Sequence, residues 1–210
     1  MFETESCYST QFLGKKKRFD KNISYLSEYR FKSKCRKYIV RVEHLSVGLV
    51  AIKYCDSKDL NSKNAYKKIF NDNDGGKVIA SCIKIMHDLW KTDNGINFGF
   101  YAVPRDIDLD SISPKRKKSL NDINYLERYI RTRFHIYEHA MINLFPPSSF
   151  WHIQDYKNCI YILLNKNTKS PTIKLKKIVD FLLEFHDIIF EPTIEIENAT
   201  KKRGDEMRIG

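Results

Sequence analysis

Residues 38–55 have the sequence YIVRVEHLSVGLVAIKYC, in which β-branched and apolar residues recur at every second position. An extended chain separates the first part of this stretch into two sets of side chains: Tyr38, Val40 and Val42, against Ile39, Arg41 and Glu43. Apolar residues resume after His44. The pattern predicts a β-hairpin that turns near residues 44–46, or one strand with a bulge at Gly48.

Helical and strand-like patterns alternate along the rest of the chain. Helical spacing of apolar residues occupies 77–91, 123–144 and 170–189, the last with Ser170 as N-cap before Pro171. Strand-like patterns occupy 96–103, 150–153, 159–164 and 193–197, and the polar residues 105–121 predict a mobile loop. This order predicts an α+β fold, with helices packed on one face of a small, mostly antiparallel or mixed sheet.

The composition predicts one main core with charged ends. Hydrophobic residues make up 42% of the 210 residues, which is enough for a globular core. Residues 15–37 contain ten basic side chains against only Asp20 and Glu28. We therefore divide the chain into a basic N-terminal segment (1–37), a single α+β core domain (38–192) and a C-terminal tail (193–210).

Several classes of protein are excluded by the sequence. No run approaches the roughly 18 apolar residues of a membrane-spanning helix, and the N-terminus lacks the pattern of a signal peptide, so we expect a cytoplasmic protein without membrane contact. Five widely spaced cysteines contain no Cys-x-x-Cys pair, which argues against a zinc ribbon or a disulfide framework. No Gly-rich phosphate loop or nucleophile elbow is present, and no cofactor is predicted.

The strongest functional indication is charge. Lys and Arg outnumber Asp and Glu by 37 to 26, which gives a net charge of +11 and favours polyanionic partners. Basic tracts lie at 15–18, 30–37, 115–118 and 174–177, and aromatic residues interleave the first two, as in proteins that combine phosphate contacts with base stacking. Simple solvation of surface lysines is the alternative. The predicted nucleic-acid-binding residues are Lys15, Lys16, Lys17, Arg18, Tyr29, Arg30, Lys32, Lys34, Arg36, Lys115, Arg116, Lys117, Lys118, Arg128 and Arg131.

The segment 131–139, RTRFHIYEH, concentrates residue types that perform chemistry. At about 100° per residue, Arg128, Arg131, His135 and His139 fall on the side of the helix opposite its apolar stripe. A solvated outer helix face is the simplest interpretation. A nuclease is a second, because the spacing of Arg133 and His139 resembles the R-x(4–6)-H motif of HEPN-type ribonucleases. The catalytic candidates are Arg133, Tyr137, Glu138 and His139.

A third interpretation of the same helix is a metal site. His135-Ile-Tyr-Glu138-His139 has the H-x-x-E-H pattern and resembles the motif of the pitrilysin-type metallopeptidases. The resemblance implies that His135 and His139 bind zinc, that Glu138 activates water, and that Glu184 or Glu191 supplies a third ligand. It covers five residues, and Ile142-Asn143-Leu144 replaces the Gly-Thr-type sequence of those enzymes.

About half of the chain is similar to small uncharacterised bacterial proteins of mobile elements and of defence or toxin–antitoxin neighbourhoods. The similarity rests on helix 77–91, strand 96–103, the R-x-R-F-x-I-Y pattern, and the stretches Phe150-Trp-His and Ile160-Tyr-Ile-Leu-Leu-Asn165. It implies no particular active site. We predict a nucleic-acid-binding accessory protein of such a system, with RNA or DNA as partner. The alternatives are a metal-dependent or HEPN-like hydrolase, and a non-catalytic protein-binding subunit of a larger assembly.

Overall fold

A computed structural model describes residues 7–17, 21–62, 65–66, 75–101 and 132–186 of the chain. The strands are β1 (Thr10–Lys16), β2 (Ile23–Lys32), β3 (Lys37–Leu45), β4 (Val50–Asp56), β5 (Phe98–Tyr101), β6 (Phe150–Asp155) and β7 (Ile160–Asn165). The helices are α1 (Gly75–Thr92), α2 (Thr132–Leu144) and α3 (Pro171–His186), and a 3₁₀ turn spans Ser57–Asp59.

The described strands form one mixed sheet in the order β1-β2-β3-β4-β5-β7-β6. Neighbouring strands are antiparallel except β4 and β5, which are parallel and have α1 between them in the sequence. A parallel pair requires a crossover connection, whereas the antiparallel pairs β3–β4 and β6–β7 are joined by short turns. The predicted α+β class is therefore confirmed, and the sheet is of the mixed kind.

Helices cover both faces of the sheet, so the prediction that they pack on one face is wrong. Tyr161 and Leu163 of β7 belong to a cluster with residues of α1 and α2, and we call their side of the sheet the core face. The alternate β7 residues Ile160, Ile162 and Leu164 pack with Ile178 of α3 on the opposite face. Because β7 is an internal strand with apolar side chains in both directions, each face must be covered.

The basic N-terminal segment is not separate from the core domain, because β1 and β2 belong to the same sheet. The strands β2 and β3 pair along their length, from Ile23 opposite Leu45 to Lys32 opposite Lys37. Phe31 is buried in the main hydrophobic cluster. The predicted boundary at residue 37 therefore falls within a β-hairpin. A strand can bury one side and expose the other, so a high density of charge does not separate a segment from the core.

The predicted elements within the described ranges are confirmed, with shifted ends. The hairpin over 38–55 is β3 and β4, and Gly48 occupies its turn at φ +69°, a conformation that favours glycine. The loop at 105–121, the strand at 193–197 and the first turns of the helix at 123–144 lie outside the described residues. In that described part, none of the helices is long and apolar enough to cross a membrane.

Candidate nucleic-acid interface

The strand registers collect basic side chains on one part of the opposite face. Residues directly across from each other on paired strands point to the same side of a sheet. Glu28 lies across from Arg41, Arg41 lies across from Lys53, and Lys32 lies across from Lys37. Six cations and two carboxylates therefore share this side of β1–β4. We call this set the charged half-face: Lys16, Arg30, Lys32, Lys37, Arg41, Lys53, Glu28 and Glu43.

Glu28 organises the first row of the charged half-face. Its buried carboxylate accepts hydrogen bonds from Lys16 Nζ at 2.5 Å and from Arg41 Nε at 3.0 Å. Arg41 Nη1 also donates to the hydroxyl of Tyr66 at 3.1 Å. Burial would raise the pKa of Glu28, but the hydrogen bonds and charges of Lys16 and Arg41 outweigh it and lower the pKa. The carboxylate therefore remains ionised and fixes both cations in place.

Lys53 is held in the same way by the second carboxylate. Its Nζ lies 2.7 Å from Oε2 of Glu43, whose side chain is buried. Lys53 itself remains exposed. Both acids of the charged half-face are thus paired with cations, and the three remaining cations carry most of its excess charge.

Arg30, Lys32 and Lys37 are the cations of the charged half-face that no carboxylate neutralises within the described ranges. Arg30 donates to Oε1 of Gln11 at 2.8 Å, and all three cations are exposed. Arg30 and Lys32 are two residues apart on β2, which separates their Cα atoms by about 6.8 Å. Lys37 lies directly across from Lys32 on β3, with about 5 Å between the two Cα atoms. The three side chains form a compact cationic group that could contact neighbouring phosphates.

The turn between β2 and β3 presents one more exposed cation. Ser33 N donates to Arg36 O at 2.9 Å, and Ser33 Oγ accepts from the backbone N–H groups of Cys35 and Arg36. These bonds fix the turn that carries the exposed Lys34. Arg36 behaves differently, because its Nη1 lies 3.2 Å from the buried carboxylate of Asp56. Of the two predicted phosphate ligands, Lys34 is available and Arg36 is held in an ion pair.

The described aromatic residues of the basic segment lie on the core face, away from the charged half-face. Tyr29 is partly buried against the main cluster, and Phe31 is stacked between Tyr8 and Tyr38. Tyr25 is stacked on His44 with ring centroids 3.8 Å apart. The structure therefore places Tyr29 on the other side of the sheet from Arg30 and Lys32. Aromatic and basic residues alternate in the sequence, and a strand sends alternate residues to opposite sides.

The consecutive lysines at 15–17 are divided by the same alternation. Lys15 lies on the core face with Nζ 5.2 Å from the ring centroid of Tyr25, whereas Lys16 belongs to the charged half-face. Lys17 follows β1 and is exposed. The other predicted ligands, Arg18, Lys115, Arg116, Lys117, Lys118, Arg128 and Arg131, lie outside the described residues.

In the described part of the predicted catalytic helix, His135 lies beside Glu138, and Tyr137 turns toward the core. His135 is exposed and its Nδ1 lies 3.2 Å from Oε2 of Glu138, whose other oxygen accepts from the hydroxyl of Tyr156. Tyr137 points toward the core, with its ring centroid 4.8 Å from that of Phe100. His139 is exposed. The side chain of Arg133 is outside the described set, and the catalytic roles of Arg133, Tyr137, Glu138 and His139 stay predictions.

The structure also separates the proposed metal ligands. Glu184 belongs to α3 on the opposite face, and the sheet lies between this helix and the α2 histidines. Glu191 lies outside the described residues. Across the described ranges, no group of three His, Cys, Asp or Glu side chains could hold a metal ion. Glu184 is therefore wrong as the third ligand of His135 and His139, because a tetrahedral site requires all its ligands at about 2 Å from the metal.

A buried polar chain in the core face was missed by the sequence analysis. His152 Nε2 lies 2.8 Å from Phe145 O, and His152 Nδ1 lies 2.7 Å from the Tyr161 hydroxyl. A carbonyl only accepts, so Nε2 carries the proton and Nδ1 accepts from Tyr161. Gln154 donates to the same hydroxyl, and burial raises the pKa of Tyr161. The chain connects the end of α2 to β6 and β7. The only sequence signal was His152 and Gln154 alternating with apolar residues.

Comparisons of the chain with protein-family models, with curated proteins and with solved structures gave no match. The indication of function therefore comes from the geometry of the charged half-face and from the chemistry of its side chains.

Proposed function

We propose that this protein binds nucleic acid through the charged half-face. The observation that carries the proposal is the grouping of six cations with two carboxylates on one side of β1–β4, which gives this surface a net charge of +4. A surface that serves only solubility needs no excess of positive charge, because interspersed positive and negative side chains keep a protein soluble equally well. A single-sign excess on one ordered surface favours a polyanion, and each phosphate contact gains free energy from the release of condensed counterions.

The ion pairs of the charged half-face support its role as a preformed surface. Glu28 and Glu43 hold Lys16, Arg41 and Lys53 on the sheet, so these side chains lose less conformational freedom when a ligand binds. In the described part of the chain, no carboxylate pairs with Arg30, Lys32 or Lys37, so each of these side chains contributes a full positive charge. We expect Arg30, Lys32 and Lys37 to contribute most of the phosphate binding. The ion-paired cations keep the surface in a fixed arrangement.

We further propose a biological setting from the sequence resemblance. The resemblance of the middle of the chain points to mobile elements and to defence or toxin–antitoxin neighbourhoods, and the positive charge favours nucleic acid as the target. In this proposal the protein is a cytoplasmic accessory factor that binds RNA or DNA. A protein-binding subunit of a larger assembly is the competing function, and it predicts no steep dependence of binding on salt.

Two variants of equal charge test the proposal. Lys32→Gln/Lys37→Gln removes two exposed cations of the charged half-face, and Lys77→Gln/Lys91→Gln removes two exposed cations of α1, which packs on the core face. Binding of labelled oligonucleotides is measured between about 50 and 200 mM salt. We expect the first variant to lower the slope of log affinity against log salt by about 0.7–0.9 per lost contact, and the second to retain it.

The outcomes of this comparison are distinct. Weaker binding by the β2–β3 variant alone supports the proposal. Equal loss in both variants would show that only the overall charge matters, and the charged half-face would not be the site. Absence of binding by the wild type to RNA and DNA at low salt would overturn the proposal and favour the assembly subunit. Circular dichroism of all three proteins checks that the fold is retained.

A further inference from the structure

We infer that the charged half-face binds double-stranded nucleic acid through its phosphate backbone, without stacking of bases. This inference rests on the proposed function and specifies its ligand. It follows from the separation of aromatic and basic side chains between the two faces of β1–β4, a feature that only the strand registers reveal.

Single-strand binding surfaces need two kinds of side chain in one place. They combine cations that follow the backbone with aromatic rings on which unpaired bases stack, each stacked base contributing about 1–3 kcal/mol. On the charged half-face, the strand positions between the cations hold aliphatic, acidic or small residues, such as Leu26, Ile39 and Ala51. The rings of β2 and β3 are on the core face instead.

Tyr66 is the one described aromatic residue that contacts a cation of the charged half-face. Its hydroxyl accepts a hydrogen bond from Arg41, and the residue is partly buried. Burial raises the pKa of Tyr66, in part offset by the charge of Arg41. The hydroxyl of Tyr66 is therefore engaged with Arg41, and one such residue does not provide a row of stacking positions.

Phe12 is the exposed aromatic residue of the described ranges, with 51% of its surface accessible. It lies across from Tyr29 on the core face of β1, and the two ring centroids are 5.1 Å apart. A base stacked on Phe12 would lie on the other side of the sheet from Arg30, Lys32 and Lys37. Phe12 therefore offers a direct test of stacking that leaves the charged half-face unchanged.

A duplex matches the chemistry that the charged half-face does offer. Its bases are already stacked on one another, its phosphates are on the outside, and its charge density is one per about 1.7 Å of axis. Arg30 and Lys32 are about 6.8 Å apart along β2, and Lys37 extends the group across to β3. Such contacts carry no base information, so we expect affinity to depend on helical form and charge and hardly on sequence.

The test compares ligands and variants in one titration. The wild type, Phe12→Ala and Lys32→Gln/Lys37→Gln proteins are titrated with two 20-base-pair duplexes of unrelated sequence and with their separate 20-nucleotide strands. We expect the duplexes to bind about 5-fold or more tightly than the strands, and within about 3-fold of each other. Phe12→Ala should change every affinity by less than about 2-fold, whereas the lysine variant should weaken duplex binding.

Each result supports or overturns the inference. Tighter binding of single strands, or a loss of about 5-fold or more in Phe12→Ala, would show that bases stack on the protein and would overturn duplex binding while leaving the proposed function intact. Strong preference between the two duplexes would overturn backbone recognition. Failure of every oligonucleotide to bind would instead remove the proposed function itself.

Discussion

Lys15 and Lys16 are adjacent in the chain but lie on opposite faces of the sheet. Lys15 Nζ is 5.2 Å from the ring centroid of Tyr25 on the core face, whereas Lys16 Nζ is 2.5 Å from Oε2 of the buried Glu28 on the other. A tract of lysines that looks uniform in the sequence therefore contains residues with different energetic roles. One lies over an aromatic ring and the other neutralises a buried carboxylate.

The Glu28 network predicts that removal of one of its cations costs more stability than removal of a lysine outside it. Arg41→Met should lower the free energy of unfolding by about 2–3 kcal/mol, because Glu28 loses a hydrogen bond while it stays buried and Tyr66 loses its donor. Lys15→Gln serves as the control and should cost less than about 1 kcal/mol. Urea unfolding of the wild type and both variants measures these values. Equal midpoints for Arg41→Met and the wild type would contradict the network.

His44 predicts a loss of stability in mildly acidic solution. Burial and the charge of Lys15 lower the pKa of His44 from 6.5 to about 4, although Asp93 acts in the opposite direction. The unfolded chain therefore takes up a proton at this site before the folded protein does, and the stability decreases as the pH falls from 6.5 toward 4. His152 adds to the effect, because burial, followed by the charge of Lys166, lowers its pKa despite the bond to Phe145 O.

The His44→Phe variant isolates this contribution. Phenylalanine keeps the stack on Tyr25, and Nε2 of His44 has no hydrogen-bond partner to lose. Both proteins are unfolded at pH 7 and at pH 5, and the decrease in the free energy of unfolding is compared. We expect this decrease to be smaller in the variant than in the wild type, by up to about 2 kcal/mol. Urea unfolding at pH 7, 6 and 5 provides the measurement. Parallel pH profiles of the two proteins would show that His44 titrates normally in the folded state.

Adjacent residues of α2 should differ sharply in their effect on stability. Phe134 is fully buried and contacts the rings of Phe100, Tyr156 and Tyr161, so Phe134→Ala should cost about 3 kcal/mol or more. His135 is exposed, and His135→Ala should cost less than about 1 kcal/mol. Thermal and urea unfolding test both values. Similar shifts for the two variants would mean that the helix presents another face to the core.

The Tyr161 hydroxyl is predicted to stabilise the buried polar chain. Tyr161→Phe leaves Nδ1 of His152 without its donor and removes the acceptor of Gln154, which should cost about 2 kcal/mol. Long-range proton–nitrogen spectra of the wild type should show His152 as the Nε2–H tautomer at pH 7, because Phe145 O only accepts. The Nδ1–H tautomer of His152 would contradict the proposed direction of these hydrogen bonds. Equal stability of Tyr161→Phe and the wild type would show that the Tyr161 hydroxyl does not stabilise the buried polar chain.

Much of the fold follows from local sequence patterns, while the candidate site does not. Alternation over 38–55 predicted the β3–β4 hairpin, and helical spacing predicted α1 and α3. The order of strands in the sheet depends on which hydrophobic surfaces meet, so β7 between β5 and β6 was not predicted. The charged half-face needs the register of four strands, and a shift of one residue would move every side chain to the other face.

The sequence by itself determined the α+β class, the β3–β4 hairpin, the apolar faces of the helices and the excess of positive charge, because each depends on composition or on a short period in the chain. The tertiary structure decided on which face of the sheet the charged side chains lie. Pairing of β2 with β1 and β3 placed Tyr29 and Phe31 against the core and Arg30 and Lys32 on the opposite face. It also put Glu184 across the sheet from the α2 histidines. The physical reason is that contacts between distant segments depend on how buried surfaces pack together, which no local pattern specifies.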